Sequence, residues 1–358
     1  MRGLRARAPG EAAAGAARAA GDASLSEPIP LLQAAGSHRE VGAQLGLAAA
    51  DAIRRAAAAP FDAELVERYR AVTMEHLAWV VEELDAAAEA AGLDPLAVFA
   101  ASVEELESAP APTGCTDLVA AADATADGHL LVAHNNDLGA EDEDDVAAIE
   151  WRVPGDPLVF TLGVGPWASV GWNDAGLSVT GNELTPNDER VGIPRLLQMR
   201  DVLTRRTLDD AVEAVLHPAR ASSYNWVLVH ASGEVANVEG SASDAAVTEP
   251  AAGVLTHANH YAHPRMLRYE RSPRAALSRA RACRADELLA GRDGSVTVAW
   301  LREALADHEG APDSLCRHGD EEGTKTVFWC VADVTAGEIT YGRGNPCSST
   351  PQSYRFER

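Results

Sequence analysis

Hydrophobic residues between residues 38 and 108 recur at the three- and four-residue spacing of an amphipathic helix. Two long stretches carry this pattern, HREVGAQLGLAAADAIRRAAAA and FDAELVERYRAVTMEHLAWVVEELDAAAEAAG. Gly92 and Pro95 mark the start of a shorter one, DPLAVFAASVEELES. The pattern therefore predicts a helical block in the first third of the chain.

The pattern changes after the breaker-rich segment APAPTGC at residues 109–115. Short apolar runs bounded by Gly, Asn and Asp then predict strands and tight turns: HLLVAHNND, LVFTLGVG, GLSVTGN, NWVLVHASGEVANVEG, GVLTHANH and, near the end, TKTVFWCVADVTAGEITYGRG. Helical spacing returns between them in IPRLLQMRDVLTRR, TLDDAVEAVLH, PRAALSRARACRADELLAG and SVTVAWLREALADH. This order predicts an α+β protein whose antiparallel sheets pack against helices.

The net charge of the chain limits the kinds of molecule that it is expected to bind. Its 54 acidic and 30 basic residues give a net charge of -24, which disfavours nucleic acid and anionic membranes because both need a positive surface. No run of 18 apolar residues occurs, so no membrane span is expected. The acids EDEDD at residues 141–145 form either a solvated loop or a collar that attracts an amine-bearing small molecule.

The cysteines and the N-terminal segment indicate the cellular compartment in which the protein is expected. The 5 cysteines are odd in number, scattered and without a C-x-x-C pair, which predicts free thiols in a reducing compartment and hence a cytoplasmic protein. Residues 1–28 are rich in Gly and Ala and lack the apolar segment of a secretory signal, so we expect a disordered extension there.

Cys115 stands where the helical block gives way to strands. It is either a small buried residue at a strand start or, if the chain is cut before it, an N-terminal nucleophile. A cut would give this residue a thiol and a free α-amine, and an α-amine titrates near neutral pH and can take the thiol's proton. Gly114 has no Cβ, which lets the sulfur approach the Gly114 carbonyl.

The residues that follow Cys115 strengthen the second interpretation. A strand, a turn at residues 126–128 and a second strand lead to HNND, so a hairpin of this length returns Asn136 and Asp137 to Cys115. A carboxylate at that place can orient an ammonium group or receive a proton during cleavage.

Seven segments recur in a characteristic order from about residue 29 to 350: AAGSHREVGAQLG, GCT followed by DGHLLVAHNND, GWNDAGLSVTGNEL, SSYNWVLVHASGEVANVEGS, LTHANHY, LCRHGD and TVFWCVADVTAGEITYGRGNPC. Together they resemble the acyl-coenzyme A:6-aminopenicillanic acid acyltransferase family, a group of cysteine-dependent N-terminal-nucleophile hydrolases (isopenicillin N acyltransferase-like, peptidase family C45). The resemblance implies a four-layer αββα sandwich and self-cleavage between Gly114 and Cys115. A helical α fragment, residues 29–114, and a β fragment, residues 115–358, would then stay associated as one composite domain.

The resemblance also implies roles for individual residues. Cys115 would be the nucleophile, Asp137 its partner in processing and in positioning the amine, and Asn259 an oxyanion-hole donor. Further candidates for substrate binding are Thr116, Asn136, Asn182, Glu183 and Arg274. The family often has Asn-Trp-Asp where this chain has Asn135-Asn136-Asp137, which puts penicillin-type substrates in doubt. Related amidases place an Arg near the thiol, and here Arg274 or Arg343 could serve.

The leading hypothesis is a self-processing cysteine amidohydrolase that cleaves a linear amide, such as an aminoacylated amine or a secondary-metabolite intermediate, through an acyl-enzyme on Cys115. Three rivals stay open: an acyl-coenzyme A-dependent N-acyltransferase, an uncleaved binding protein, and a zinc hydrolase built on His257, His260 and His263. The three histidines follow a strand into a loop and would not share one face, so we expect no metal and no cofactor. The remaining cysteines, Cys283, Cys316, Cys330 and Cys347, are expected to be inert, and the oligomeric state stays open.

Overall fold

The computed structural model describes residues 27–106, 114–319 and 323–357. The predicted disordered extension therefore lies, up to residue 26, outside the described residues. The helices are α1 (His38–Ala48), α2 (Ala50–Ala56), α3 (Ala63–His76), α4 (Ala78–Ala91), α5 (Pro95–Ala100), α6 (Arg195–Val202), α7 (Leu208–Val215), α8 (Ala275–Leu289) and α9 (Val298–Leu305). The strands are β1 (Leu31–Ala35), β2 (Gly114–Ala120), β3 (Leu131–Gly139), β4 (Val146–Arg152), β5 (Val159–Val164), β6 (Trp167–Asn173), β7 (Leu177–Asn182), β8 (Asn225–His230), β9 (Val235–Gly240), β10 (Ala245–Thr248), β11 (Val254–His257), β12 (Thr324–Asp333), β13 (Glu338–Arg343) and β14 (Gln352–Arg355).

The strands form two sheets. The first has eight strands in the order β1-β4-β5-β6-β7-β8-β9-β10, and the second has six in the order β11-β2-β3-β12-β13-β14. Within both sheets the pairing is antiparallel except for β1, which runs parallel to β4. Hairpins join most of the neighbouring strands, since consecutive antiparallel strands need only a short turn.

The two sheets stack face to face, and each is covered by helices on its outer side. Apolar residues of both sheets, such as Val132, Phe160 and Val227, share one buried cluster between the sheets. The outer face of the eight-stranded sheet packs against α1, α6 and α7. The outer face of the six-stranded sheet packs against α8 and α9. The predicted αββα layering is therefore confirmed.

The helical block is present but is not helical throughout. Five helices occupy the predicted region, and they share an apolar cluster of their own that includes Ile53, Val80 and Phe99. The predicted segment 29–114 also contains a strand, because Leu31–Ala35 pairs in register with residues 148–152 of β4. The run is short and only one of its five residues, Ala34, is fully buried, so it carries little of the alternation that marks a strand.

The acidic residues 141–145 lie in a regular element, and two of them are in ion pairs. Residues 140–145 form a short 3-10 helix after β3. Glu143 pairs with Lys325, and Asp145 pairs with Arg55. Among the described residues, no helix has both the length and the apolar character needed to cross a bilayer.

Candidate active site

The hairpin of β2 and β3 builds the centre of the candidate site. Its register pairs Cys115 with Asn136 and Gly114 with Asp137, which confirms the predicted return of these two residues. Alternation along a strand sends neighbouring side chains to opposite faces of the sheet. Cys115 and Asn136 share the face that carries Val119 and meets the other sheet, whereas Asp137 lies on the face toward α8.

Two asparagine side chains contact Cys115 in addition to its pairing within the sheet. Its N–H donates a hydrogen bond of 2.7 Å to Asn259 Oδ1, and its Sγ lies 3.6 Å from Asn136 Oδ1. Asn259 Oδ1 also accepts from Arg281 Nη2 at 2.8 Å, and Asn259 Nδ2 donates to the Glu183 carbonyl at 3.2 Å. Both ends of the Asn259 amide are therefore fixed, with the oxygen turned to the backbone nitrogen of the candidate nucleophile.

The peptide on the N-terminal side of Cys115 lies against a buried ionic cluster. A Cβ placed on Gly114 would lie 2.9 Å from Arg317 Nη1, 3.1 Å from Asp137 Oδ2 and 3.2 Å from Arg281 Nη2. Asp137 is fully buried and its Oδ1 accepts from Thr326 Oγ1 at 2.7 Å. Burial raises the pKa of Asp137, while Arg281 and Arg317 oppose that rise. Burial likewise lowers the pKa of Arg281.

A second polar group lies on the other face of the hairpin, between the sheets. His134 Nδ1 lies 2.9 Å from Asp117 Oδ1, and both side chains are almost completely buried. Burial alone would lower the pKa of His134, but the Asp117 carboxylate and, to a smaller extent, Cys115 raise it well above its usual value. The Asp117 carboxylate therefore favours the imidazolium form of His134 beside the candidate thiol. His134 Nε2 lies 3.4 Å from the same Asn136 Oδ1 that Sγ contacts.

The polar network continues from Asp117 into the eight-stranded sheet. Asn182 Nδ2 donates to Asp117 Oδ2 at 2.8 Å, and Asn182 Oδ1 lies 2.9 Å from His257 Nδ1. His257 Nε2 lies 3.2 Å from Glu239 Oε1. Asn182 thus supports the Asp117–His134 pair and lies one step further from the thiol.

The three histidines of the zinc alternative do not converge. His257 contacts Asn182 and Glu239, whereas His260 Nδ1 lies 2.7 Å from Ser278 Oγ. The Nδ1 of His263 accepts from the backbone N–H of Arg265. Among the described residues, no group of metal-binding side chains includes any of the three.

A narrow cleft opens beside Asn259. It is lined by Glu183, Thr185, Asn259, Ser272, Arg274, Leu277, Ser278, Arg281, Asp313 and Arg317. The lining carries three arginines and two acidic residues, so its net charge is positive, whereas that of the whole chain is negative. Residues 141–145 do not line the cleft. Arg274 is thus at the cleft, whereas Arg343 donates to the carbonyls of Glu27, Glu143 and Val146.

The structure brings together most of the predicted site residues. Gly114, Cys115, Asn136, Asp137 and Asn259 meet at one end of the hairpin. Glu183 reaches the cleft and also pairs with Arg195. Thr116 and Asn182 are the exceptions. Thr116 is fully buried opposite Asn135 on the helix-facing side of β2, and Asn182 is fully buried and does not line the cleft.

Sequence reasoning missed four residues at the site: Asp117, His134, Arg281 and Arg317. Asp117 lies two positions after Cys115 and His134 lies two before Asn136, so the alternation of the strands could have placed both beside the thiol. The two arginines come from α8 and from the segment before β12, and no local pattern links either to Cys115.

A comparison with protein families decides the class of the chain. The sequence model of the family described as acyl-coenzyme A:6-aminopenicillanic acid acyl-transferase matches residues 125–347. The chain belongs to this family. The matched residues include Asp137 and Asn259 and begin after Cys115. As a member of the acyl-coenzyme A:6-aminopenicillanic acid acyl-transferase family, the protein is an enzyme of the acyltransferase class.

Solved structures resemble this acyltransferase family member distantly. The R18L variant of conjugated bile acid hydrolase from Clostridium perfringens is 15% identical, with a TM-score of 0.46 over 68% of this chain and 97% of its own. The N-acylethanolamine-hydrolyzing acid amidase ortholog of Caenorhabditis elegans is 15% identical, with a TM-score of 0.43 over 62% and 93%. Penicillin V acylase from Agrobacterium tumefaciens is 12% identical, with a TM-score of 0.42 over 64% and 83%. No curated protein matches the chain.

Proposed function

We propose that the protein is a self-processing cysteine amidohydrolase that cleaves a linear amide through an acyl-enzyme on Cys115. The contact between the Cys115 backbone N–H and Asn259 Oδ1, at 2.7 Å, carries this proposal. A side-chain acceptor fixed on that nitrogen is ready to hold the ammonium or amine that scission of the Gly114–Cys115 bond would create.

Processing would begin with attack of the Cys115 sulfur on the Gly114 carbonyl carbon. The C–N bond breaks, its nitrogen gains a proton and becomes the α-amine, and a thioester forms between Gly114 and Cys115. Water then hydrolyses the thioester and leaves a Gly114 carboxylate and a free thiol. Asp137 supports this step as the proton carrier, because burial raises its pKa and its Oδ2 lies beside Gly114.

Turnover would use the same sulfur on a substrate carbonyl. The α-amine of Cys115 takes the thiol's proton and passes it to the leaving amine. His134 is poorly suited to be the base, since its raised pKa favours the protonated form, and as a cation it would stabilise negative charge near the sulfur. Asn259 Nδ2 is the proposed donor to the oxyanion, and a donor of this kind is worth about 2.7–4 kcal/mol in other enzymes.

The two fragments would remain joined after cleavage. Strand β1 of the first fragment pairs with β4 of the second. Near the end of the first fragment, Glu104 Oε2 accepts from Arg195 Nε at 2.7 Å and from Tyr224 at 2.6 Å. These contacts support the composite domain. We also propose a reducing, cytoplasmic setting, in line with the free cysteines that the sequence predicts.

The family description favours a second candidate, an acyl-coenzyme A-dependent N-acyltransferase. In that reaction the thioester of the acyl-coenzyme A would acylate Cys115 and release free coenzyme A, and an amine would take the acyl group. Hydrolysis is the first choice because water needs no second binding site. Release of coenzyme A that depends on both an added amine and Cys115 would select the transferase instead.

The decisive experiment compares wild type with Cys115→Ala and, as a matched control, Cys283→Ala, which removes an exposed cysteine. Denaturing mass spectrometry should show two fragments that end at Gly114 and begin at Cys115 in wild type and in the control. It should show one intact chain of about 37.6 kDa in Cys115→Ala. A panel of N-acyl amines that varies the charge of the amine is then assayed for release of the amine.

The outcomes separate the candidates. Activity that follows the processed form and disappears in Cys115→Ala supports the proposal. An active wild type whose only N-terminus is Met1 contradicts it, and an intact, inactive wild type that still binds amides favours the binding protein.

A further inference from the structure

Four potential metal ligands meet on the far side of the segment that carries Arg317. They are His308, Cys316, His318 and Cys347, and their ligand atoms all lie within 4.8 Å of one another. His308 follows α9, Cys316 and His318 lie before β12, and Cys347 follows β13. Three separate places in the chain therefore contribute to one cluster, and it lies outside the cleft described above.

The distances within the cluster are those between ligands that surround one small ion. Cys316 Sγ lies 3.6 Å from Cys347 Sγ and 3.6 Å from His318 Nε2. Cys347 Sγ lies 3.3 Å from His318 Nε2. The same His318 Nε2 lies 2.9 Å from His308 Nε2. Zinc bonds of about 2.3 Å to sulfur and about 2.0–2.1 Å to nitrogen place tetrahedral ligands about 3.3–3.8 Å apart. Among these contacts, the two ring nitrogens are the pair that would have to separate most, by about 0.4 Å.

The surroundings of the sulfurs also fit a thiolate site. Asn345 Nδ2 lies 3.4 Å from Cys316 Sγ and donates to the Arg317 carbonyl at 2.6 Å. Donors of this kind commonly orient thiolate ligands and stabilise their charge. Two thiolates and two neutral imidazoles would balance the charge of one divalent ion.

We propose that His308, Cys316, His318 and Cys347 bind one structural Zn²⁺. Two sulfur and two imidazole ligands at tetrahedral spacing suit zinc, and four protein ligands leave no open position for a substrate. This proposal departs from the expectation that Cys316 and Cys347 are inert and that the protein holds no metal.

A zinc ion at this site would help to position Arg317. Cys316 and His318 flank this residue, so the two ligands lie on one side of the segment while the Arg317 guanidinium reaches Gly114 on the other. Hydrogen bonds between Arg317 and Thr326 in both directions fix the segment to β12. Zinc would therefore hold the segment that delivers one of the two arginines to the Asp137 cluster.

The test measures metal content by plasma mass spectrometry on the full chain after incubation with Zn²⁺ and removal of free metal. We expect about one zinc ion per chain in wild type and at least a tenfold loss in Cys347→Ser and His318→Ala. Cys283→Ser is the matched control and should keep its zinc. Because the Cys115→Ala chain should bind zinc equally well, failure of the metal site and failure of the processing proposal can be told apart.

A second measurement does not depend on the folding of the variants. Co²⁺ added to wild type should give the visible bands and thiolate charge-transfer band of tetrahedral cobalt, and Zn²⁺ should abolish them. Removal of zinc by a chelator should also lower the melting temperature of wild type, since the binding free energy stabilises the fold. Less than about a tenth of an equivalent of zinc in wild type, no cobalt spectrum, or a Cys316–Cys347 disulfide in protein from a reducing cytoplasm would each overturn the proposal.

Discussion

Asp117 and His134 form an ion pair, 2.9 Å from Oδ1 to Nδ1, in the buried space between the two sheets. The pair lies on the same face of the hairpin as Cys115. When His134 is protonated, the pair places a positive charge next to the candidate nucleophile, and Asn182 Nδ2 donates to the other Asp117 oxygen.

The pair predicts a pH dependence of stability. The pKa of His134 is raised in the folded protein, so its contribution is complete below the pKa of the unfolded chain, near 6.5, and is lost as the pH rises through the folded value. In the uncleaved Cys115→Ala background, we expect the free energy of unfolding to fall above pH 6.5 relative to Cys115→Ala/His134→Gln. The slope of the difference should approach about 1.4 kcal/mol per pH unit.

Denaturant titrations between pH 6 and 9 measure this difference. Asp117→Asn is the matched control, because it removes the partner and should remove the slope as well. Parallel stability curves for the Cys115→Ala chain with and without His134 would show that the histidine is not held as a cation.

Gly114 predicts a steric limit on processing. A methyl group there would lie within 2.9–3.2 Å of Arg317, Asp137 and Arg281, which are all buried and constrained. We expect Gly114→Ala to slow formation of the two fragments at least tenfold, because displacing the cluster moves both the carbonyl and its proton carrier.

Gly139→Ala is the control for that experiment, since the added methyl group would meet only the end of the exposed Glu141 side chain. The time course of fragment formation is read from denaturing gels. Equal rates for Gly114→Ala and Gly139→Ala would mean that the buried cluster does not constrain the scissile peptide.

The sequence allowed the hairpin and its chemistry to be predicted because they depend on local patterns. Two apolar runs joined by the turn at residues 126–128 place Asn136 opposite Cys115 by strand geometry alone. Strand β1 was missed because one buried residue in five gives too weak an alternation to identify a strand. Its place depends on pairing with β4, a partner more than a hundred residues away.

The arginines and the proposed zinc ligands could not be predicted for a related reason. Arg281 looks like any other charge in the Arg-rich sequence of α8, and only the packing of that helix turns it toward Asn259. Cys347 is far from Cys316 in the chain, and the return of β13 brings the two together. Such contacts arise from tertiary structure and have no spacing rule of their own.

Arg281 predicts a change in kcat without a matching change in KM. Its Nη2 donates to Asn259 Oδ1 and so keeps the amide nitrogen available for an oxyanion, which makes it a positioning residue. Arg281→Met should lower kcat about ten- to a hundredfold, and Arg281→Lys should restore part of it.

Steady-state kinetics on the best amide of the panel provide the measurement. Arg279→Met is the control, because Arg279 lies two residues away on the exposed side of α8. A rise in KM at constant kcat in Arg281→Met would assign the residue to substrate binding instead.

At the contact between α1 and α4, replacing a glycine by alanine should lower the free energy of unfolding, which is the opposite of the usual effect inside a helix. An alanine at a helix interior normally stabilises by up to about 1 kcal/mol relative to glycine. A Cβ on Gly42, however, would overlap the Glu83 carbonyl of α4, which is backbone and cannot turn away. We therefore expect Gly42→Ala to lower the free energy of unfolding by about 2–3 kcal/mol, since the two helices must separate.

Leu47→Ala tests whether that loss is specific to the contact. Leu47 lies on the same helix with 69% of its surface exposed, so its truncation should change the free energy of unfolding by no more than about 0.5 kcal/mol. Both variants are measured in the uncleaved Cys115→Ala chain, where unfolding does not separate two fragments. Stabilisation by Gly42→Ala would mean that α1 and α4 are further apart than this contact requires, and that intrinsic helix propensity decides the outcome.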